Sequence, residues 1–265
     1  MSDFKLTATS LTYAIGSSML VDHVDIEAVP GQVVAILGPN GAGKSTLLAL
    51  LSGELTPRSG TVSYSTANVA DMSNADRSLQ RAMFSQRIPV DVPFTARAVV
   101  ELGRFPHRHD RSLSPQQDKT IVDDALAITD TTQFGDRIYS TLSGGERTRV
   151  ALARVLAQDT PLVLLDEPTT ALDVYHRERV MNIIRTSADN GRTIVAVLHD
   201  LNAAAAYANT IVVMADGKVK ATGSVDEVLE PELLSDVYKQ PMAVIEHPLR
   251  PGKLVLTDDR PRPPR

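Results

Sequence analysis

Gly38-Pro39-Asn40-Gly41-Ala42-Gly43-Lys44-Ser45-Thr46 is the stretch on which the fold turns. One apolar run, Val33 to Leu37, leads into it and another, Leu47 to Leu51, leads out. Strand, glycine-rich loop and helix together make the setting that a phosphate-binding loop requires. Gly38, Gly41 and Gly43 let the backbone curl until successive N–H groups face one anion. Lys44 adds a point charge for the β- and γ-phosphates, and Ser45 offers a hydroxyl to Mg2+. The helix that begins near Lys44 presents the positive end of its dipole to the same phosphates.

A second loop defines the kind of nucleotide enzyme. Leu142-Ser143-Gly144-Gly145-Glu146 precedes a segment with Val150, Leu152, Ala153, Leu156 and Ala157 at helical spacing. Ser143 is a good N-cap, and the two glycines leave the helix start unobstructed, which makes a second anion site. Two phosphate sites about a hundred residues apart are useful when they meet on one nucleotide. After Pro161 comes Leu162-Val163-Leu164-Leu165-Asp166-Glu167-Pro168, a short buried strand ending in two carboxylates. Open α/β sheets bind ligands at that end of their strands. Asp166 can hold the Mg2+ water shell and Glu167 can polarise an attacking water.

With these residues in place the sequence resembles the ATP-binding-cassette family, over nearly the whole chain. LSGGE at 142–146 is the family's signature loop, lying between a P-loop and a Walker B strand. Arg147-Thr148-Arg149 departs from the glutamine-rich residues of many relatives but leaves Ser143, Gly144 and Gly145 intact. The resemblance implies that Pro39, Asn40, Ala42 and Thr46 join the glycines, Lys44 and Ser45 in holding ATP. It implies that Ser143, Gly144, Gly145 and Glu146 close over the nucleotide, that Ser45, Gln86 and Asp166 hold Mg2+, and that Gln86 links to a transport subunit. His199, ending the apolar strand Thr193 to Leu198, matches the switch histidine that contacts the γ-phosphate. Ala171-Leu172-Asp173 resembles the loop that crosses between two subunits, although an Asp near a helix start is also a common cap. Tyr13 stands where the family places an aromatic that stacks on adenine; its alternative is a strand tyrosine packed in the core.

The chain has 265 residues, 43% hydrophobic and 22% charged, which suits a soluble globular protein with a full core. No apolar stretch approaches the ~20 residues of a membrane span, and Met1-Ser2-Asp3-Phe4-Lys5 lacks a signal-peptide layout. Without cysteine there are no disulfides or thiolate metal sites. A net charge of −5 argues against a nucleic-acid partner.

The expected fold class is α/β: a P-loop core of mostly parallel sheet with flanking helices, an antiparallel β subdomain and a helical insertion. Residues 1–240 form a single ATPase domain, its core in 1–86 and 158–240 and its helical subdomain in 87–157. Phe4, Leu6 and Ala8, then Val24, Ile26 and Ala28, alternate with polar residues as antiparallel strands do. Helices are expected over 115–129, 174–188, 201–208 and 231–238, and Ser224 to Glu227 reads as a capping box. Residues 241–265 should form a short hairpin, 242–247 with 254–257, and a mobile Pro/Arg-rich tail.

Arg97, Arg104, His107, Arg108, His109 and Arg111 crowd into one part of the insertion, offset by Glu101 and Asp110. Such a cluster is either a solvated loop or a surface that faces the cytoplasmic loops of a membrane partner and anionic headgroups. His107-x-His109 suggests no third ligand and is not read as a metal or haem site.

The resemblance implies an ATPase working as a homodimer at the cytoplasmic face of the cell membrane. Its further partners would be two transmembrane permease subunits and, indirectly, an external substrate-binding protein. Gly103-Arg104-Phe105-Pro106-His107, His199-Asp200-Leu201-Asn202 and the short C-terminal ending are similar to cassettes of iron-siderophore, haem and vitamin B12 importers. Val244 to Pro248 looks most like the hemin-import ATPases, which makes hemin the expected cargo, with a ferric siderophore or vitamin B12 as alternatives. A soluble non-transport cassette ATPase is the rival class, but its members usually carry tandem cassettes or long coiled coils. This chain has one P-loop and no heptad run.

Overall fold

The computed structural model describes residues 4–85, 93–108 and 114–258. The chain opens with a long hairpin, β1 (Leu6–Ile15) and β2 (Ser18–Ala28), whose alternation of apolar and polar residues buries one face. Ser10 and His23 adopt left-handed backbone where the register shifts, so the hairpin bends rather than running flat. β3 (Val33–Leu37) is buried throughout, and the phosphate loop joins it to α1 (Lys44–Leu51). β4 (Ser59–Tyr64) and the two-residue β5 (Ala67–Asn68) complete a four-stranded antiparallel sheet in the order β2-β1-β4-β5.

After α2 (Asn74–Gln80) the chain forms β6 (Arg81–Phe84), then the helical insertion. That insertion holds α3 (Ala96–Glu101), a 3-10 helix at Leu102–His107, α4 (Pro115–Ile128) and α5 (Gly144–Ala157). Its pairing among the described residues outside named strands is one isolated bridge, Thr95 to Ile138. Among the described residues this region is mostly helical.

The remainder alternates: β7 (Leu162–Asp166), α6 (Val174–Asp189), β8 (Thr193–Val197), α7 (Leu201–Tyr207), β9 (Thr210–Ala215) and β10 (Lys218–Gly223). The second sheet runs β10-β9-β3-β8-β7-β6, parallel except for β10 at its edge. α8 (Val225–Val228) opens with the expected Ser224–Glu227 capping box, and α9 (Pro231–Tyr238) has proline in its first turn. A hairpin, β11 (Met242–Glu246) and β12 (Lys253–Thr257), ends the described chain. It does not hang free, because Val255 is buried in the main core and β12 lies against α7.

The period of two along the central strands divides the interior into two cores. Val34, Ile36, Leu162, Leu164, Val195, Val197, Val212 and Met214 face the antiparallel sheet, with α1 between the two sheets. Val33, Ala35, Leu37, Val163, Leu165, Ile194, Ala196, Ile211 and Val213 face the helices on the other side. The phosphate-loop helix thus belongs to one core and α5 to the other.

The basic cluster of the insertion is not uniformly a surface. Arg104 is buried, donates from Nε to Asp118 Oδ1 at 2.9 Å and from a guanidinium nitrogen to the Ala157 carbonyl at 2.7 Å. His107 Nε2 bonds the Gln158 carbonyl at 2.8 Å. A Cβ on Gly103 would lie 2.3 Å from the Arg154 carbonyl oxygen, so only glycine allows this approach. The stretch 103–107 therefore satisfies the last carbonyls of α5, work a reading of charge alone could not reveal. Arg108 remains exposed, its guanidinium 4.9 Å from the centre of the Phe105 ring. His109 and Arg111 lie outside the described residues. Arg104→Glu should cost about 3–5 kcal/mol, since it sets a carboxylate against Asp118 and carbonyl oxygens. Denaturant unfolding with an unchanged midpoint would refute this.

Candidate active site

The phosphate loop is fixed at both ends by backbone that leaves no space for side chains. Gly38 has φ 148° and Gly43 has φ 95°. A Cβ on Gly38 would lie 2.1 Å from the Met214 carbonyl oxygen of β9, and one on Gly43 equally close to the Leu20 carbonyl oxygen of β2. A Cβ on Gly41 would meet nothing within 4 Å, so the middle of the loop is open. Neither clamp is visible in sequence, because Met214 and Leu20 are contributed by distant strands.

Lys44 is buried and donates from Nζ to the carbonyls of Gly38 at 2.7 Å and Pro39 at 2.9 Å. Burial holds its pKa below the ordinary lysine value, while the nearby charges of Glu167 and Asp166 oppose that shift. Helix α1 starts at this lysine with no side-chain cap, which leaves its first amides available to an anion. Tyr13 pairs with Val21, next to the Leu20 that touches Gly43. Its ring is half-exposed and lies partly against the α1 core, a placement that accommodates both of its expected roles.

β7 delivers Asp166 and Glu167 beside this loop. Ser45 donates from Oγ to Asp166 Oδ1 at 3.2 Å. Burial raises the Asp166 pKa and the neighbouring Glu167 charge raises it further, whereas the Ser45 hydrogen bond, Lys44 and His199 lower it. A hydroxyl and a carboxylate converging this way are hard oxygen donors suited to Mg2+, and a cation there would relieve the half-buried carboxylate. Gln86, the third expected donor, lies outside the described residues.

Glu167 sits at φ 51°, in the left-handed region, with its N–H donating to the Val197 carbonyl at 3.1 Å. Its Oε1 pairs with Nε2 of His199, and its Oε2 accepts a hydrogen bond from Thr170 Oγ1 at 3.2 Å. Thr170 carries no motif of its own, and the sequence reading passed over it.

The second loop is ordered by helix caps. Glu146 N–H donates to Ser143 Oγ at 3.3 Å, and Ser143 N–H donates to Glu146 Oε2 at 2.7 Å, a full capping box on α5. The Ser143 backbone amide holds the Glu146 carboxyl below its usual range, so this carboxylate already has a structural task. Asp173 caps α6, accepting from His176 N–H at 2.9 Å and pairing with the His176 ring at 2.8 Å. A Cβ on Gly145 would lie 3.5 Å from Leu172 and 3.6 Å from the Ala171 carbonyl, so the starts of α5 and α6 are neighbours within one chain. The structure thus joins Lys44, Ser45, Asp166, Glu167 and His199 as one cluster, and Ser143 to Glu146 with Ala171 to Asp173 as another.

Comparison with known proteins places this geometry. A family model described as ABC transporter matches residues 21–170. The chain is 47% identical to a hemin import ATP-binding protein HmuV of Nocardia farcinica, over 89% of this chain and 82% of that protein. It is 45% identical to the HmuV of Rhodococcus jostii, over 95% and 85% of the two chains. A cobalamin import ATP-binding protein BtuD of Halobacterium salinarum is 42% identical over 90% of this chain and 60% of its own length. Among solved structures, a transporter described as of metal-chelate ABC type, in an inward-facing conformation, superposes with a TM-score of 0.81. It covers 97% of this chain and 98% of its own at 24% identity, which speaks to the fold. The dimeric ATP-binding cassette MJ0796, in a post-hydrolysis state with ADP and Pi, gives a TM-score of 0.74 at 28% identity, covering 83% and 98%.

Proposed function

The chain belongs to the ABC transporter family, and from that premise we propose that it is the ATP-hydrolysing subunit of a hemin importer. The ATPase activity comes with the family. What carries the choice of cargo is the similarity to hemin import proteins at 40–47% identity over 89–96% of the chain. A cobalamin import protein among the relatives supports vitamin B12 as the second reading.

In this reading the loop from Gly38 to Thr46 wraps the phosphates of ATP, and Lys44 exchanges its two carbonyl partners for phosphate oxygens. Tyr13 stacks on the adenine. Ser45 and Asp166, with Gln86, would hold Mg2+, which when bound would neutralise phosphate charge. Glu167 accepts a proton from the water that attacks the γ-phosphorus, the bond to the β-phosphate oxygen breaks, and ADP departs with that electron pair. His199 steadies Glu167 and senses the γ-phosphate. Ser143 to Glu146 of a second copy close over the same nucleotide, and Asp173 lies at the contact between copies. Hydrolysis then waits on dimer closure, which is how ATP drives movement.

Among the described residues no helix is long and apolar enough to cross a membrane, so the chain would act at the bilayer through permease subunits. Leu79, Leu102 and Phe105, the last 61% exposed, lie on α2 and the 3-10 helix that packs against it. These exposed apolar side chains, with Arg108 over Phe105, make α2 and the neighbouring 3-10 helix a suitable docking surface. The test is reconstitution in vesicles with a hemin permease and binding protein from the same organism. Hemin-loaded binding protein should raise ATP turnover severalfold. Stimulation by a siderophore-loaded or cobalamin-loaded form, with none from hemin, would overturn the cargo.

A further inference from the structure

The C-terminal hairpin touches the molecule at a telling place. Val255 N–H donates to Asn202 Oδ1 at 2.7 Å, and Asn202 Nδ2 donates to the Val255 carbonyl at 3.1 Å. One side chain thereby reads both polar groups of a single backbone residue, the geometry of a strand pairing supplied by an amide. Asn202 is in the first turn of α7, three residues beyond His199. Asp200 secures the same turn from below, accepting from the N–H groups of Asn202 at 2.9 Å and Ala203 at 3.1 Å, and from Arg177 at 3.4 Å. On its far side the hairpin is tied down by Lys253, which donates to the Asp226 carbonyl at 2.7 Å, and by Met242 N–H, which donates to Ser235 Oγ at 2.9 Å.

The C-terminal unit also approaches the phosphate loop. Tyr238, ending α9, buries its phenolic oxygen without a well-formed hydrogen bond. Burial pushes its pKa up to about 12, and the Gly38 backbone amide is the polar neighbour that opposes this rise. The unit formed by α9 and the hairpin thus borders the root of the phosphate loop and the turn that follows His199.

We propose that Asn202 is a positioning residue, anchoring the turn after His199 to the C-terminal hairpin so that the imidazole is held against Glu167. This rests on the reading of His199 and Glu167 given above. A hydrogen bond that merely stabilised the fold would lower the unfolding midpoint and leave turnover per folded molecule alone. An anchor acting through His199 predicts something else: its loss should matter only while the imidazole is present.

The experiment is a double-mutant cycle on the full chain, with kcat and KM for ATP measured for wild type, Asn202→Ala, His199→Ala and the double variant. Asn202→Ala should lower kcat about tenfold and leave KM within about twofold, and on the His199→Ala background it should cost no more than about a further twofold. Asn202→Asp keeps the acceptor for Val255 N–H and should lose only about threefold, a graded variant for which folding is the smaller concern. Full activity in both Asn202 variants, or the same tenfold loss with and without His199, would overturn the proposal. A His199→Ala chain turning over like wild type would instead remove the underlying site reading, and the proposal with it.

Discussion

Glu167→Gln is expected to lower ATP turnover by a factor of about 10^2 to 10^4, the range for losing a positioned general base, while ATP still binds. The substitution is close to isosteric. The amide that replaces the carboxylate would keep an oxygen for the Thr170 hydroxyl that now donates to Glu167 Oε2, and the backbone bond from residue 167 to Val197 is untouched. What disappears is the basic oxygen that pairs with His199. The phosphate loop, clamped by Met214 and Leu20, does not depend on this side chain, so nucleotide affinity should stay within a fewfold. With hydrolysis blocked, the ATP-bound closed dimer should accumulate and elute as such in size-exclusion chromatography. Phosphate release within threefold of wild type would show that another group takes the proton.

Lys44→Ala should fail at the other stage. Its amine lies buried against the carbonyls of Gly38 and Pro39, and the charges of Glu167 and Asp166 oppose the lowering of its pKa by burial. Removing it leaves two carbonyl oxygens without their donor and deprives the phosphates of a buried lysine contact. Charge-assisted hydrogen bonds contribute about 1.5–3 kcal/mol each, so ATP affinity should fall about tenfold to 150-fold. Titration with a fluorescent ATP analogue would read this directly. The pair of variants separates the two roles, since one should bind without turning over and the other should lose affinity itself. Wild-type affinity in Lys44→Ala would detach the lysine from the nucleotide.

Much of this site was legible because its instructions are local. Gly38 to Thr46 encode their own turn, Ser143 and Glu146 encode a capping box, and the uniformly apolar strands announce a sheet covered on both faces. The parts that were not legible depend on residues far apart in the chain or on an unusual backbone conformation. Arg104 reads as one more surface cation until the end of α5, some fifty residues later, is seen to cover it. Thr170 meets Glu167 three residues on, across a turn whose backbone is left-handed at 167. The Asn202–Val255 pair spans fifty-three residues, and no periodicity records it. The helix-capping alternative for Asp173 was available from sequence, and the structure gives that residue this cap.

The left-handed backbone at Glu167 has a consequence for anyone who would improve this protein in the laboratory. A non-glycine residue held at φ 51° stores roughly 1 kcal/mol or more of unfavourable conformational energy. Glycine or asparagine at this position would relax it, so a library sorted for heat resistance alone would enrich clones that unfold a few degrees higher and have lost the general base. Robustness and turnover compete at this one codon, and only a screen that counts released phosphate alongside survival would keep the glutamate.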